Sequence, residues 1–289
     1  MDLDLEKMAE RLEQSGDFRV VRRFEPQHVY TDVDEDTELF TGMFLDVETT
    51  GLDHRRDKII ELAMVPFTYT IDGHVNRVYR PFAALEDPGI PIPGPVQALT
   101  TITDAMVAGK SIDDQEVQEL FAAADLVIAH NARFDRPFVE RRFPKLPSTA
   151  WACSATEVPW RSAGIEGRKL EYIAYRSGIF FEGHRAEIDC HVGVHILAQQ
   201  LPGMDRTALS ALLESARTSS IVLYAVDSPF EAKDRLKARG YRWDGSRKVW
   251  WSTLAPDEYE AELEWLRDEI YSKPFTPDTK ELTAFERYR

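Results

Sequence analysis

The succession of hydrophobic patterns after Gly42 constrains the fold more than any other feature of the chain. MFLDVE reads as a short apolar strand closed by the turn-like TTGLD. Residues 59–71 and 75–82 read as two further strands joined through Asp72-Gly73. A proline-rich loop (Pro88, Pro91, Pro93, Pro95) leads to a helical pattern at 114–124. LVIAH is a fourth strand, a helix follows over 133–142, and 150–153 is a fifth strand. Helices at 169–177 and 186–200 close the unit. Strands in succession, then strands alternating with helices, predict an α/β fold: a mixed five-stranded sheet flanked by helices.

The flanking regions read differently. Residues 2–14 have the spacing of a short amphipathic helix, with Leu3, Leu5, Met8 and Leu12 on one face. A strand, FRVVRRF, and an acidic loop at 32–38 follow. Beyond Pro202-Gly203, a helix at 205–217 leads into a β-α-β-β-α pattern over 221–226, 229–239, 241–243, 248–252 and 256–271. Asp244-Gly245 marks the hairpin between its two aromatic strands. The tail SKPFTPDTKELTAFERYR reads as partly disordered. The expected organisation is an extension over 1–40, an α/β domain over 41–202, a connecting helix over 203–218 and a small α+β C-terminal domain over 219–289.

A net charge of −15 disfavours phosphate-rich partners at first sight. Its distribution weakens that objection: residues 1–40 carry −7, residues 219–289 carry −2 and the stretch between carries −6. Four carboxylates of that middle stretch are candidate metal ligands, and bound cations would offset about four charges. What remains fits a short-range grip on nucleic acid better than a long, salt-sensitive footprint. No apolar run approaches a membrane span, so no membrane partner is expected. The acidic MDLDLEKMAE does not read as a signal peptide. Cys153 and Cys190 lack metal-ligand spacing and fit free thiols in a reducing cytoplasm.

Three stretches carry residues suited to chemistry. Strand alternation places Asp46 and Glu48 on one side, where two carboxylates can hold cations together. The spacing recurs at Asp4/Glu6, Asp36/Glu38 and Asp114/Glu116. Only Asp46 and Glu48, however, end an apolar strand before Thr49-Thr50-Gly51, a turn that can approach a phosphate closely. In AHNARFDRPF, Asp135 opens a helix, a position that an acid also occupies for purely structural reasons. In EGHRAEIDCHVGV, His184 precedes Asp189 by five residues, and His130 precedes Asp135 by the same interval, so either histidine is a candidate base. His191 and His195 lie four apart on a helix without an HExxH pattern, and zinc is not expected.

Taken together and in order, FLDVETTGL, AHNARFD and HRAEID strongly resemble the three exonuclease motifs of the DEDDh family. That family includes the proofreading subunit of bacterial DNA polymerase III, RNase T, oligoribonuclease and the TREX enzymes. The resemblance covers roughly residues 41–200 and implies a ribonuclease H-like fold. A histidine five residues before the last aspartate resembles the h subgroup; the y subgroup would carry tyrosine where Arg185 stands. Cys190 occupies a position where many relatives carry alanine.

The resemblance implies a metal-dependent 3′→5′ exonuclease that uses two Mg²⁺ (or Mn²⁺) ions and releases nucleoside 5′-monophosphates. Asp46 would bridge the ions, Glu48 and Asp189 would complete one site, and Asp135 would hold the other ion through water. His184 would act as general base and take the proton of the attacking water. The backbone at Val47, Thr49 and Thr50 would cradle the terminal nucleotide while Leu52 wedges against its base. His130 and Asn131 would belong to the substrate-binding set as well, His130 also supporting the Asp135 loop. The expected partner is nucleic acid with a free 3′ end, single-stranded DNA before RNA, with a DNA polymerase as an associated subunit. The alternatives are RNA trimming and a non-catalytic polymerase-accessory module.

The C-terminal region interleaves Tyr241, Trp243, Trp250 and Trp251 with Arg239, Arg242, Arg247 and Lys248. Seven basic residues face three acidic ones between Phe230 and Trp250, an excess that stands out in an acidic chain. Two readings stay open here. Tyr241, Arg242, Trp243, Lys248 and Trp250 form a stacking platform for single strands, or the aromatics form the core of a small hairpin domain. Alternation sends Trp250 and Trp251 to opposite faces, so one can pack while the other stays accessible.

Overall fold

The computed structural model describes residues 4–271 and 273–289. Leu3, at the start of the expected first helix, and Ser272, at the start of the tail, lie outside the described residues. Two compact units are present: one runs to Leu213 and takes in Tyr288–Arg289, the other spans Glu214–Arg287.

The first unit begins with α1 (Leu5–Gln14), opened by Asp4, whose carboxylate accepts from the Lys7 amide. No side chain of α1 is buried. The expected strand FRVVRRF shrinks to β1 (Arg22–Arg23). The central elements follow as β2 (Leu39–Thr49), β3 (Ile59–Thr70), β4 (Val75–Val78) and β5 (Phe82–Leu85). Short helices α2 (Gly94–Thr100) and α3 (Asp104–Val107) precede α4 (Asp114–Ala123). Then come β6 (Leu126–Ala129), α5 (Ala132–Arg142), β7 (Ala150–Cys153), α6 (Leu170–Arg176) and β8 (Ile179–Phe180), which pairs with β1. Helix α7 (Ala186–Ala198) follows, and the boundary of the unit falls within α8 (Ala208–Arg217).

The main sheet is mixed, in the order β4-β3-β2-β6-β7, with β5 also on β3. It therefore has six strands among the described residues, not the five expected. The expected strand over 75–82 divides into β4 and β5 because of Pro66, inside β3. Tyr79 N donates to Pro66 O across the outer edge of β3. In an antiparallel ladder the nitrogen of Pro66 faces that same edge and has no hydrogen to give. The outer strand breaks there, between Val78 opposite Phe67 and Phe82 opposite Met64.

Alternation along β2 sorts its residues between two layers. Met43, Leu45 and Val47 join a core with Val117, Phe121, Val139 and Trp151, under α4 and α5. Phe44, Asp46 and Glu48 face the opposite way. Here α7 lies against the sheet, and a Cβ on Gly193 would come 2.2 Å from Phe44 Cζ. Only a bare Cα allows the helix to sit this close.

The second unit holds β9 (Ser220–Ala225), α9 (Lys233–Ala238), β10 (Arg242–Asp244), β11 (Val249–Leu254), α10 (Tyr259–Trp265) and β12 (Asp278–Leu282). Its antiparallel sheet runs β10-β11-β9-β12, and Leu223, Ala225, Leu236, Tyr241, Leu254, Leu266 and Ile270 form its core. The tail expected to be partly disordered instead supplies β12, paired with β9 from Asp278 opposite Tyr224 to Leu282 opposite Ser220.

The α7–sheet contact makes a testable demand. Gly193→Ala should lower unfolding stability by about 1–3 kcal/mol through overpacking against Phe44, measured by chemical denaturation. A variant as stable as the parent would show that the contact relaxes freely.

Candidate active site

The carboxyl end of β2 is the foundation of the site. Asp46 stands opposite Ala63 of β3 and Glu48 opposite Glu61, and the register shifts immediately after Glu48. This bulge swings the chain out of the sheet into the turn that follows. The turn is held from within: Asp57 accepts from Asp53 N at 2.8 Å, and Lys58 N donates to Thr50 Oγ1 at 3.0 Å. Asp57 also explains Gly51, where a Cβ would lie 2.5 Å from its Oδ2.

Two helices bring the remaining acids. Asn131, in the left-handed region at φ 78°, turns the chain from β6 into α5. Asp135 is thereby buried in the first turn of α5, where its Oδ1 accepts from Val47 N at 3.3 Å. Asp189 lies in the first turn of α7, one helical turn before Gly193, and its Oδ2 accepts from Arg185 N at 3.0 Å. Asp46, Glu48 and Asp189 each offer a carboxylate oxygen, and these oxygens all lie within 4.8 Å of one another.

Burial and mutual repulsion act in the same direction on this group. Burial, reinforced by the charges of Asp135, Asp189, Glu48 and Glu61, holds the Asp46 carboxyl well above the usual range. Burial also raises Asp135, although the Val47 amide works against it. Glu48 is pushed up to about 8 by burial and by the charges of Asp189 and Glu61. Asp189 rises to about 7, again chiefly through burial, with backbone hydrogen bonds opposing. An all-oxygen donor set under this strain suits a hard divalent cation, which removes the repulsion.

The four carboxylates, Val47, His130, Asn131 and His184 line a single cleft of about 710 Å³. Thr49, Thr50 and Leu52 do not line it. Both threonine hydroxyls are engaged inside the turn, Thr49 Oγ1 donating to Gly51 O at 2.6 Å, while Leu52 is 86% exposed. The two candidate histidines differ sharply. His130 Nε2 lies 2.7 Å from Arg168 O, and its Nδ1 lies 2.8 Å from Ser154 Oγ. A carbonyl only accepts, so Nε2 carries the hydrogen; burial lowers the pKa of the ring and keeps it neutral, with Nδ1 accepting from Ser154. No nitrogen of His130 is free for proton transfer. His184, in the left-handed region at φ 66°, is half exposed, with Nε2 3.8 Å from Glu171 Oε1.

Glu61 is the main participant that sequence reasoning missed. It is 3% exposed and accepts from Ala186 N at 3.0 Å and Arg185 Nη2 at 2.9 Å, which ties the start of α7 to β3. Its signal was a lone carboxylate within the apolar run 59–67. Arg185 and Glu171 were likewise not singled out for these contacts.

In the second unit, the residues expected to share a platform separate. Tyr241 is buried, its ring stacked on Trp265 at 6.3 Å, and it presents no face to a ligand. Trp243 is 52% exposed and lies 5.5 Å from the half-buried Trp250, while Arg242 and Lys248 are exposed. Trp251 is on the opposite face, across from Arg242 and Tyr224.

Residues 43–197, more than half of the chain, match the family model RNase_T, described as Exonuclease. The chain belongs to this exonuclease family, of the DEDD type within the ribonuclease H-like superfamily. It is similar to the DNA polymerase III PolC-type protein of Clostridium perfringens (strain 13 / Type A), 30% identical over 149 residues covering 50% of this chain and 10% of the relative. The protein of the same name from Staphylococcus epidermidis (strain ATCC 35984) is 28% identical over 197 residues, covering 64% and 13%. The chain thus spans about a tenth of the length of the curated relatives it matches. Among solved structures, an exonuclease I is similar in fold, with a TM-score of 0.52 at 14% identity, covering 81% of this chain and 68% of that one.

The raised carboxyls make stability depend on pH. Glu48 and Asp189 titrate near 8 and 7 in the fold against ordinary values of 4.5 and 3.8, so the folded protein binds more protons than the unfolded chain across that window. Their contribution is therefore complete at low pH and is lost as pH rises through the folded values. In EDTA, the unfolding midpoint should fall between about pH 5 and about pH 8, less steeply in Glu48→Gln, and Mg²⁺ at the upper pH should restore it. An identical pH slope in the parent and Glu48→Gln would refute this account.

Proposed function

We propose that the chain is a metal-dependent 3′→5′ exonuclease that removes nucleotides singly from a free 3′ end and releases nucleoside 5′-monophosphates. The observation that carries this reading is the convergence of Asp46, Glu48 and Asp189 within 4.8 Å, in one cleft with Asp135 and His184. Asp46, Glu48 and Asp189, with Asp135 in the same cleft, are the residues that would hold divalent cations, two Mg²⁺ or Mn²⁺ ions in this reading. Such ions would stabilise charge on the attacking and leaving oxygens of an in-line displacement.

The chain's own residues supply the remaining functions. His184 takes the proton of the attacking water, with the Glu171 carboxylate 3.8 Å from its Nε2. The Val47 backbone at the cleft wall, with Thr49 and Thr50 beyond it, cradles the terminal nucleotide, and the exposed Leu52 packs against its base. His130 and Asn131 hold the loop that sets Asp135. Residues 41–202 carry the chemistry; residues 1–40 are an extension, 203–218 a connecting helix and 219–289 an accessory domain.

Single-stranded DNA is the proposed substrate and a DNA polymerase the proposed associate, because the relatives matched are DNA polymerase III proteins. RNA trimming is the alternative, and matched DNA and RNA strands in one assay separate the two. Two buried free cysteines suit a reducing cytoplasm, and among the described residues no helix is long and apolar enough to cross a membrane.

With Mg²⁺, the protein should release mononucleotides from a 3′-labelled oligonucleotide. Asp46→Asn should slow release by more than about a hundredfold and His184→Ala by about 10²–10⁴-fold. Binding without shortening, in either Mg²⁺ or Mn²⁺, would establish a non-catalytic binding module instead.

The second unit contributes a smaller grip through Trp243 and Trp250, with Arg242 and Lys248 around them. Trp243→Ala should weaken binding of a long single strand by about 1–3 kcal/mol and leave dinucleotide turnover unchanged. Equal affinities for the long strand would reduce the pair to packing.

A further inference from the structure

Beside the cleft, and sharing Arg168 with it, is a second hollow that the proposed hydrolysis does not use. It is a pocket of about 300 Å³ lined by Arg161, Ile165, Glu166 and Arg168, and Arg168 also lines the cleft. Both arginines belong to the connection between β7 and α6, which is a built structure. Trp160, buried, donates from Nε1 to Ser154 O at 2.7 Å, and Ile165 N donates to Trp160 O at 2.8 Å. At its far end, His130 Nε2 donates to Arg168 O. The backbone that bears the two guanidinium groups is thus pinned at both ends to the framework of the active site.

Charge distinguishes this pocket from the carboxylate-lined cleft beside it. Acidic residues outnumber basic ones by fifteen in the chain, and arginines such as Arg136, Arg142 and Arg185 are neutralised by a carboxylate. The side chains of Arg161 and Arg168 form no ion pair or side-chain hydrogen bond with any described residue, and neither does the adjoining Lys169. Glu166 borders the pocket without pairing with either arginine. Ile165 is the sole apolar lining residue, so the pocket is poorly suited to a base and well suited to an anion. A polyanionic strand drawn toward four clustered carboxylates needs cationic groups at the entrance to offset their repulsion.

We propose that Arg161 and Arg168 form a phosphate-binding site for the strand that stays attached, on the 5′ side of the nucleotide being removed. The site recognises the phosphodiester backbone, without reading bases, and makes a chain longer than a dinucleotide the preferred substrate. This inference rests on the exonuclease reading and specifies its substrate class.

The test compares two substrates, a dinucleotide lacking a 5′-phosphate and a single strand of about ten nucleotides, across the parent, the Arg161→Ala/Arg168→Ala double variant and Arg168→Lys. On the long strand the double variant should lose about tenfold or more in kcat/KM, mainly through KM. Its dependence of log KM on log salt should be shallower by about 0.7 for each phosphate no longer neutralised. Dinucleotide turnover should stay within about twofold of the parent, and Arg168→Lys should lose less than the double variant on the long strand, because it keeps Arg161 and the positive charge at 168. Equal losses on both substrates, or an unchanged salt slope, would overturn the site and leave the exonuclease reading intact. If the parent cleaves neither substrate, that reading fails by itself. The site is then decided by anisotropy with the labelled long strand in EDTA: tenfold weaker binding by the double variant supports it, and equal binding overturns it.

Discussion

The approach of α7 to β2 is the contact on which the site depends. Phe44 lies against the bare Cα of Gly193, and the same face of β2 carries Asp46 and Glu48. Asp189 precedes Gly193 by one helical turn, so the helix that touches Phe44 must hang its aspartate over the two strand acids. A bulkier residue at 193 would lift the helix and open the triangle of carboxylates. Packing of an aromatic ring and placement of a charged group are here one geometric fact.

That geometry is electrostatically costly. Three carboxylates that share a few ångströms repel each other, and burial removes the water that would screen them. The framework withstands this because Glu61 and Arg185 lock the start of α7 to β3, while the amides of Val47 and Arg185 hold Asp135 and Asp189 in place. These bonds orient the clustered acids within the fold, as outer contacts orient the ligands of a metal site.

Several features were legible from local patterns because their causes are local. The strand bearing Asp46 and Glu48, the helix opening at Asp135 and the helix bearing Asp189 all follow from periodicity and turn residues within a few positions. Others escaped because their causes are distant. The division of one expected strand into β4 and β5 depends on a proline across the ladder, at position 66. The tail became β12 because β9 offered it an unpaired edge, which no composition of the tail itself reveals. Tyr241 looked like Trp243 along the chain, yet one is sealed under Trp265 and the other is half exposed, since its place in the layer decides burial.

What the sequence determined by itself is the chemical inventory and its order: which acids, which histidines, and the strands and helices that carry them. Covalent spacing and side-chain chemistry suffice for that. Which histidine keeps a free nitrogen, which carboxylates come together and which arginines remain unpaired were decided only by tertiary structure. Residues 130, 154 and 168 meet across the fold, as do residues 48, 61 and 185. Hydrogen-bond partners and dielectric surroundings exist only once distant segments are packed together.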